Sequence, residues 1–329
     1  MNENTSEQFF EQRTDLSLLN NKIEQVRQEI GKVIIGQHEM IELLLAGMLA
    51  EGHVLIEGVP GVAKTLTAKL LAKTLDVLFK RIQFTPDLMP SDVIGTPVFN
   101  PREAAFEFRP GPVFGNIILI DEINRAPAKT QSSLFEVMEE KQVSVDGQTY
   151  TMQLPFMVVA TQNPVEQEGT YRLPEAQLDR FLMKINVPYP SLEEEVRMLQ
   201  SIQHLKGNLP VTQLDAVLTS AEIQQLQQLV RNMEAEEKLL HFIATIVHAT
   251  RNHRSLFLGA SPRSSVALLK TAKAIAAIRG RDFITPDDIL FVVKPVLRHR
   301  IMLTPEKEME GITTDNVIDD ITSGIEVPR

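Results

Sequence analysis

The sequence predicts an α/β domain, with a parallel sheet of five strands flanked by helices, followed by a smaller all-helical domain. In the first half of the chain, short apolar runs alternate with amphipathic segments, which is typical of a parallel sheet covered on both faces. After Pro188-Tyr189-Pro190 the strand signals end and a helical period takes over. A chain of 329 residues is long enough for two such domains.

The first domain is predicted over residues 16–190 and the second over residues 191–329, after a flexible tail at residues 1–15. The buried strands of the first domain are predicted at residues 53–57, 81–84, 117–120, 156–161 and 181–187. Its helices are predicted at residues 18–33, 40–50, 65–75, 128–139 and 175–179. The run Ile117-Ile118-Leu119-Ile120 fits a central strand that is buried on both sides.

Two hairpins are predicted to interrupt the alternation of the first domain. In residues 92–115, strands are expected at 105–108 and 113–114, joined by a turn at Arg109-Pro110-Gly111-Pro112. In residues 142–154, alternating side chains flank Asp146-Gly147, a dipeptide that favours tight hairpin turns because both positions tolerate positive φ.

The second domain is expected to contain helices only. They are predicted at residues 192–205, 221–233, 236–251, 263–278 and 285–298. Ser191 opens the first with a capping box, and Pro286 fits the first turn of the last. The acidic end of the chain, from about residue 314, is expected to be disordered.

Composition excludes several classes of function. The formal net charge of -10 disfavours a protein whose main role is to bind phosphate backbones, because such proteins usually carry a basic face. The absence of cysteine excludes disulfides, thiolate metal sites and cysteine nucleophiles. No signal peptide is recognisable, and the longest apolar stretch, residues 41–50, is too short to span a bilayer. We therefore expect a cytoplasmic protein without a membrane span.

A phosphate-binding loop is the strongest local signal. The run Gly58-Val59-Pro60-Gly61-Val62-Ala63-Lys64-Thr65 follows a predicted strand and opens a predicted helix. Small residues let backbone N–H groups surround phosphates, and the helix N-terminus adds its positive dipole end. Lys64 is expected to reach the β- and γ-phosphates, and Thr65 to bind Mg²⁺. Ala63 stands where a second glycine is usual, and its methyl group is expected to be tolerated if the backbone there stays right-handed.

Two adjacent acids, Asp121 and Glu122, end the apolar run that precedes them. Carboxylates at the end of a buried strand are costly unless they have partners, and Mg²⁺ with an attacking water would supply them. Asp121 is thus the candidate for holding Mg²⁺ and Glu122 for polarising the water. The alternative, a strand end that simply reaches solvent, loses weight because a phosphate-binding loop precedes it.

Three further polar residues are candidates of lower specificity. Asn163 follows a predicted strand, where it could orient the lytic water and sense the γ-phosphate, although Asn-Pro is often only a turn. Arg180 precedes the next strand, and Arg263 opens a helix of the second domain. Either arginine could form a surface salt bridge or stabilise charge on the γ-phosphate in the transition state.

With these residues placed, residues 34–300 resemble the AAA+ ATPases, and within them the MoxR family. The loop resembles the Walker A motif, alanine included, and residues 119–125 resemble Walker B. Residues 161–164 are similar to sensor 1, residues 171–181 to the arginine-finger box, and Arg263 to sensor 2. The two hairpins resemble the helix-2 insert and the pre-sensor-1 hairpin. Nucleotide contacts are implied at Ile35, Gly36, Gly58, Val59, Pro60, Gly61, Val62, Ala63, Lys64, Thr65, Leu66 and Arg263.

The resemblance implies an ATP- and Mg²⁺-dependent enzyme that assembles into a ring, most often a hexamer, with ATP between subunits. Arg180 would then act on the nucleotide of the neighbour, while Arg263 could act within its own subunit or across the interface. MoxR relatives are regarded as chaperone-like and often work with von Willebrand factor A proteins. A nucleic-acid motor related to MCM helicases and an ATP-gated scaffold with little turnover are the alternatives.

The insert is a candidate contact for a client protein. Phe106, Phe108 and Phe114 lie on its predicted hairpin, where aromatic side chains could hold a client. Packing of these rings within the hairpin is the competing interpretation.

Overall fold

The computed structural model describes residues 16–163, 171, 173–204 and 214–328. The predicted tail at residues 1–15 and Pro164, Arg172 and Leu205 lie outside the described residues. The strands are β1 (Val54–Gly58), β2 (Phe79–Gln83), β3 (Gly95–Asn100), β4 (Ala105–Pro110), β5 (Ile117–Asp121), β6 (Gln142–Val145), β7 (Gln148–Thr151), β8 (Met157–Gln162), β9 (Met183–Val187), β10 (Leu256–Leu258) and β11 (Met302–Leu303).

The helices of the first part of the chain are α1 (Ser17–Gly31), α2 (His38–Leu49), α3 (Lys64–Thr74), α4 (Pro90–Ile94), α5 (Ala128–Glu140) and α6 (Glu175–Leu178). Those of the second part are α7 (Leu192–His204), α8 (Ser220–Asn232), α9 (Glu237–Arg251), α10 (Pro262–Ile278), α11 (Pro286–Leu297), α12 (Pro305–Met309) and α13 (Thr314–Ser323). No helix of the described ranges is both long and apolar enough to cross a membrane.

The central sheet confirms the predicted α/β fold. Its five strands are parallel and lie in the order β2-β5-β8-β1-β9. Strand β5 is buried along its whole length because its side chains alternate between two cores. Ile117 and Leu119 pack into one apolar cluster, and Ile118 and Ile120 pack into the other. The carboxyl ends of these strands form one edge, where α/β sheets bind their ligands.

The first hairpin differs from the prediction. Strand β4 pairs with β3 instead of with residues 113–114, in the register Phe99↔Phe106. Pro110, which has no N–H, ends the ladder, and Val113 is fully buried. The proposed turn at 109–112 was wrong because the amide of Val113 donates to Val93 O at 3.1 Å, which returns the chain to the core.

The second hairpin is as predicted. Strands β6 and β7 are antiparallel, with Val145 opposite Gln148. The turn residues Asp146 and Gly147 have φ values of 49° and 77°. This left-handed pair matches the twist of the flanking strands, which explains why the Asp-Gly signal was reliable.

The second part of the chain corrects two predictions. It is not wholly helical, because β10 and β11 form a small antiparallel ribbon with Leu256 opposite Leu303. Its acidic end is ordered as α13, which Thr313 caps with its side chain by accepting a hydrogen bond from the Asn316 amide at 3.2 Å. Val317, Ile318 and Ile321 of α13 are buried. Acidic composition therefore concealed a short amphipathic helix.

Helix α1 connects the two parts of the chain. It packs against α3 of the first part and α10 of the second. Lys22 Nζ of α1 lies 3.3 Å from a Glu222 carboxylate oxygen of α8 and donates to Val217 O at 2.7 Å. One continuous apolar core consequently runs from the sheet into the second group of helices.

Candidate functional site

The loop between β1 and α3 has a left-handed backbone at two positions. Gly61 has a φ of 89°, and Ala63, directly before α3, has φ 60° and ψ 19°. The condition under which the methyl group of Ala63 was expected to be tolerated, a right-handed backbone, is therefore not met. A left-handed non-glycine residue costs about 1–2 kcal/mol, and such strain often occurs at functional sites. A loop of this shape directs successive backbone N–H groups to one side, which suits an anion.

Lys64 begins α3 and curls back over the loop. Its ammonium group donates a hydrogen bond to the carbonyl of Gly58, the last residue of β1. Burial lowers the pKa of Lys64 below its ordinary value, and the attraction of Asp121 and Glu122 opposes this without cancelling it. A partly buried cation therefore lies at the N-terminal end of a helix, where a phosphate would give it a counter-charge.

Asp121 is the centre of a polar cluster at the end of β5. Its Oδ1 accepts hydrogen bonds from Thr65 Oγ1 at 3.3 Å and from Thr161 Oγ1 at 3.2 Å. Its Oδ2 lies 2.6 Å from Arg81 Nε. The structure thus brings together Thr65 and Asp121, the two residues that the sequence suggested for Mg²⁺. The contacts of Arg81 and Thr161 were not predicted.

Glu122 leaves the sheet with a left-handed φ of 57°. Its amide donates to Thr161 Oγ1 at 3.1 Å. Its Oε2 accepts a hydrogen bond from Gln83 Nε2 at 2.8 Å and lies 3.0 Å from Arg125 Nε. The carboxylate is therefore held at the sheet edge by an amide and a guanidinium. Sequence reasoning missed Gln83, whose signal was its position as the last residue of a strand that enters the site.

Asn163 lies directly after β8, at the same edge of the sheet. Together with Gln162 it lines an open cavity of about 790 Å³ between the sheet and the second part of the chain. Lys184, Arg298 and Glu308 also line this cavity. Asn163 thus comes to the carboxyl edge, as expected from the sequence.

Arg180 and Arg263 meet at a different place, on the exposed side of α5. Arg180 NH1 lies 2.9 Å from Glu139 Oε2, and Arg263 NH2 lies 3.4 Å from Glu139 Oε1. Arg180 also donates to the carbonyl of Phe135. Both arginines line a cavity of about 320 Å³, and none of its described lining residues belongs to the phosphate-binding loop. The structure brings the two arginines to each other and not to Lys64.

The segment before α2 also has an unusual backbone. Gly36 has a φ of 73°, and a Cβ atom built on it would lie 2.3 Å from the carboxylate of Glu194 on α7. Gln37, next to it, lines a cavity of about 170 Å³ with Tyr189 and Glu194. Ile35 is half-buried beside this segment. Another residue at position 36 would be strained by the positive φ and would displace the Glu194 carboxylate, so glycine suits this turn.

The aromatic residues of the inserts form two separate groups. Phe108 stacks on Tyr150 of the second hairpin, with ring centroids 4.3 Å apart, and contacts Phe114 edge-on. Phe106 contacts only Phe99 among the described ring contacts, and its side chain is 72% exposed. Packing between the hairpins therefore accounts for Phe108 and Phe114, whereas Phe106 stays available to a partner.

Both parts of the chain match models of known protein families. Residues 53–183 match the ATPase family associated with various cellular activities (AAA), and residues 248–321 match the AAA lid domain. A solved structure of an inferred ATPase from Cytophaga hutchinsonii has a TM-score of 0.88 and 44% identity to this chain. The superposition covers 96% of this chain and 97% of that one.

Curated relatives extend this similarity over nearly the whole length. The chain is 49% identical over 301 residues to the uncharacterised protein YeaC of Bacillus subtilis, which covers 92% of this chain and 93% of that protein. It is 44% identical over 310 residues to chaperone MoxR1 of Mycobacterium tuberculosis, covering 92% and 81% respectively. Protein MoxR of Methylorubrum extorquens is 30% identical over 303 residues, covering 86% and 88%. The chain therefore belongs to the MoxR family of AAA+ ATPases.

Proposed function

We propose that this protein is a Mg²⁺-dependent ATPase that hydrolyses ATP between its subunits and uses the energy to remodel, assemble or activate partner proteins. The observation that carries the proposal is the convergence of Lys64, Thr65, Asp121 and Glu122 at the carboxyl edge of the sheet, beside the start of α3. A cation, a hydroxyl group and two carboxylates at one helix N-terminus are the set that phosphoryl transfer from a nucleoside triphosphate needs.

The residues of this edge fit a magnesium–nucleotide complex. The left-handed turn at Gly61 and Ala63 supports N–H donation to phosphates, and Lys64 would add its charge there. Thr65 and Asp121 present oxygen ligands 3.3 Å apart, which are the ligand type that Mg²⁺ prefers. Bound Mg²⁺ would neutralise charge on the phosphates. Glu122 would accept the proton of the attacking water, with Asn163 orienting that water.

The position of the two arginines supports hydrolysis across an interface. Arg180 and Arg263 both pair with Glu139 of α5 and lie away from the loop before Lys64 of their own subunit. An arginine that stabilises charge on a γ-phosphate must lie close to it. Because these two arginines lie away from the nucleotide site of their own subunit, they are suited to the nucleotide site of the adjacent subunit. We assign both arginines to the nucleotide of the adjacent subunit, where an arginine finger is worth about 10³–10⁵ in rate.

Head-to-tail contacts that close on themselves make rings, and we propose a hexamer. The relative from Mycobacterium tuberculosis is named a chaperone, which supports a remodelling role for this chain as well. We propose a client or a von Willebrand factor A-type protein as the partner. The exposed Phe106 at the first hairpin is the candidate contact with it.

A scaffold that binds ATP but turns it over slowly is the second candidate. This candidate is favoured because two side chains that hydrolysis requires, those of Glu122 and Arg180, are held by other residues. Gln83 and Arg125 hold the carboxylate of Glu122, and Glu139 holds the side chain of Arg180. A nucleic-acid motor is the weaker alternative because the net charge of -10 opposes binding to a polyanion.

Two substitutions test the proposed function. Lys64→Ala is expected to abolish both nucleotide binding and hydrolysis, because the loop loses its cation. Glu122→Gln is expected to retain Mg²⁺-ATP in calorimetry while hydrolysis falls by at least about 10²-fold, since the general base is removed. Lys69→Ala, an exposed lysine of the same helix, is the control and should behave as the parent.

Protein concentration separates the ATPase from the scaffold. An arginine supplied by a neighbour makes the rate per subunit rise as subunits assemble, whereas a scaffold stays slow at every concentration. Parental turnover in Glu122→Gln would exclude the proposed mechanism. Hydrolysis stimulated by DNA, with salt-sensitive DNA binding, would favour the nucleic-acid motor instead.

A further inference from the structure

Arg300, directly after α11 in the second part of the chain, lies against the segment that carries Arg180. We propose that Arg300 is a positioning residue for catalysis between subunits: it fixes the backbone on both sides of Arg180, so that Arg180 is presented to the nucleotide of the neighbour. This inference rests on the proposed function, in which Arg180 acts across the interface.

The contacts of Arg300 enclose position 180. Its NH2 group donates to Phe181 O at 2.8 Å and to Asp179 O at 3.3 Å. Its Nε lies 2.9 Å from the carboxylate oxygen Oδ1 of Asp179. One planar guanidinium therefore binds the residues before and after Arg180. Both carbonyls accept from the same nitrogen, NH2, while Nε faces the Asp179 carboxylate. A lysine ammonium would have to serve all three oxygens from a single point, without the planar arrangement of the guanidinium.

The preceding residue strengthens the same contact. His299 Nε2 lies 3.0 Å from Phe181 O. Since that carbonyl can only accept, Nε2 must carry the proton, and complete burial lowers the pKa of His299 well below its ordinary value, keeping the ring neutral. Phe181 O thus receives donors from both His299 and Arg300. The segment also meets the start of α10, where Ser261 Oγ lies 3.5 Å from the other oxygen of Asp179.

The side chain of Arg300 is buried, and an arginine is an unusual residue at a buried position whose only role is packing. Its side chain is 4% exposed, and burial lowers its pKa to about 10 despite the attraction of Asp179. A buried guanidinium is costly unless its geometry is well satisfied, and apolar residues of similar volume are often as stable. Among the described residues, its Nε and NH1 atoms have no hydrogen-bond partner, so the contact of Nε with Asp179 Oδ1 at 2.9 Å is an ion pair without hydrogen-bond geometry. Stability alone does not account for a charge at this place.

The position of Arg300 indicates a role for its buried positive charge. It lines the same cavity as Arg180 and Arg263, and the nearby charge of Arg263 further lowers its pKa. The backbone of Arg180 is therefore held by the second part of the chain, while its side chain is held by α5. A misplacement of about 1 Å in a catalytic group can cost about 10² in rate. Arg300 is placed to prevent such a shift.

Substitutions of Arg300 test this role. Arg300→Gln removes the charge, and Arg300→Lys keeps the charge but replaces the planar guanidinium by a single ammonium. We expect the turnover of both to fall by at least about ten-fold, while calorimetric affinity for Mg²⁺-ATP changes less than about two-fold because the loop of the same subunit is untouched. Arg281→Gln is the control, since Arg281 also forms an ion pair, here with the buried carboxylate of Asp288, within the second part of the chain. It should keep parental turnover.

Mixed rings give a readout that a purely structural role would not produce. Subunits with Arg300→Gln retain their own Lys64 and Glu122, while subunits with Glu122→Gln retain a well-placed Arg180. Mixing these two impaired proteins in equal amounts should restore about a quarter of the parental rate if subunits assemble at random around a head-to-tail ring. Arg180→Ala mixed with Glu122→Gln is the parallel experiment for the proposed function itself.

The outcomes separate the two claims. If Arg180→Ala is rescued but Arg300→Gln is not, the positioning role of Arg300 is wrong while catalysis between subunits stands. If neither is rescued, the proposed action of Arg180 on a neighbour fails. If thermal melting shows that both Arg300 variants are unfolded whereas Arg281→Gln is folded, Arg300 serves the fold and the proposal is overturned.

Discussion

Arg81 and Asp121 form an ion pair across neighbouring strands, with Arg81 Nε 2.6 Å from Asp121 Oδ2. Asp121 is the last residue of β5, and Arg81 lies in the middle of β2, opposite Leu119 and so two positions before Asp121 in the parallel register. The carboxylate that is proposed to hold Mg²⁺ therefore already has a guanidinium as its partner. A cation that binds there must compete with Arg81, which makes this pair a determinant of metal affinity.

Arg81→Gln should lower the Mg²⁺ concentration that gives half-maximal binding of a fluorescent ATP analogue. The side chain of Arg81 is 55% exposed, so the effect is modest, roughly two- to five-fold, as for an exposed pair worth about 0.2–1 kcal/mol. Lys80→Gln removes the same charge from the opposite face of β2 and serves as the control. An unchanged Mg²⁺ midpoint in Arg81→Gln would show that the guanidinium does not compete with the metal.

Glu139→Gln should lower the protein concentration at which ATPase activity is half-maximal. Glu139 forms ion pairs with both Arg180 and Arg263, and removing its charge frees both arginines for a neighbour. Glu139 is 41% exposed, so we expect roughly a two- to five-fold change. Glu136→Gln, one turn earlier on α5, is the control. Identical concentration profiles for the two variants would rule out a restraining role for Glu139.

Ala63→Gly and Ala68→Gly should change stability in opposite directions. Ala63 has a left-handed φ of 60°, so glycine relieves strain and is expected to stabilise the fold by up to about 1 kcal/mol. Ala68 lies buried inside α3, where glycine is expected to cost at least about 1 kcal/mol. Denaturant midpoints measure both changes. A loss of stability in Ala63→Gly would contradict the left-handed backbone at this position.

Because of His53, the free energy of unfolding should decrease at acidic pH. This histidine is completely buried, accepts the Val158 amide at 2.9 Å, and burial lowers its pKa to about 4 from an ordinary value of 6.5. The neutral ring is favoured by folding, so its contribution of about 3 kcal/mol is complete above pH 6.5 and is lost as the pH falls towards 4. His299, with the same direction of shift, adds to this loss.

Denaturant unfolding at pH 7.5 and pH 4.5 checks the role of His53. Between these values, a His53→Gln protein should lose about 2–3 kcal/mol less than the parent, because glutamine does not titrate. His241→Gln, at an exposed position on α9, should lose as much as the parent. Equal acid sensitivity of all three proteins would show that His53 does not stay neutral in the folded state.

Ile318→Ala tests whether the acidic end of the chain belongs to the folded core. Ile318 is 1% exposed and packs into the same apolar core as the sheet, so its truncation should cost about 2–5 kcal/mol. Val327→Ala, at a 42% exposed position in the same end segment, should change the free energy of unfolding by less than about 0.5 kcal/mol. Equal thermal midpoints for both variants would show that this segment is disordered, as its composition predicted.

The sequence anticipated the parts of the site that are encoded locally. The loop before Lys64 and the acids at Asp121 and Glu122 were predicted from residues adjacent in the chain, and the structure brings them to the same edge of the sheet, while their roles stay predictions. The five strands of the sheet were found within about two residues, since β-branched runs leave a strong signal. The hairpin at Asp146-Gly147 was correct for the same reason, because its turn chemistry is contained in two residues.

The predictions that were wrong concern features that depend on contacts between residues far apart in the chain. The partner of β4 was misassigned because pairing is decided by the core into which Val113 packs. The ribbon of β10 and β11 was missed because each strand is too short to show a period. The final helix was missed because a few buried apolar residues decide the order of a segment that is otherwise acidic.

By itself, the sequence predicted a loop of the phosphate-binding type before Lys64, an acid pair and a five-stranded α/β domain, and the structure confirms the domain. Only the tertiary structure decided which side chains surround the acids, where Arg180 and Arg263 lie, and that Ala63 is left-handed. The physical reason is that strand order joins residues about 40 positions apart, such as Arg81 and Asp121. Local propensity carries no information on such pairs, because their proximity is a result of how the whole sheet assembles.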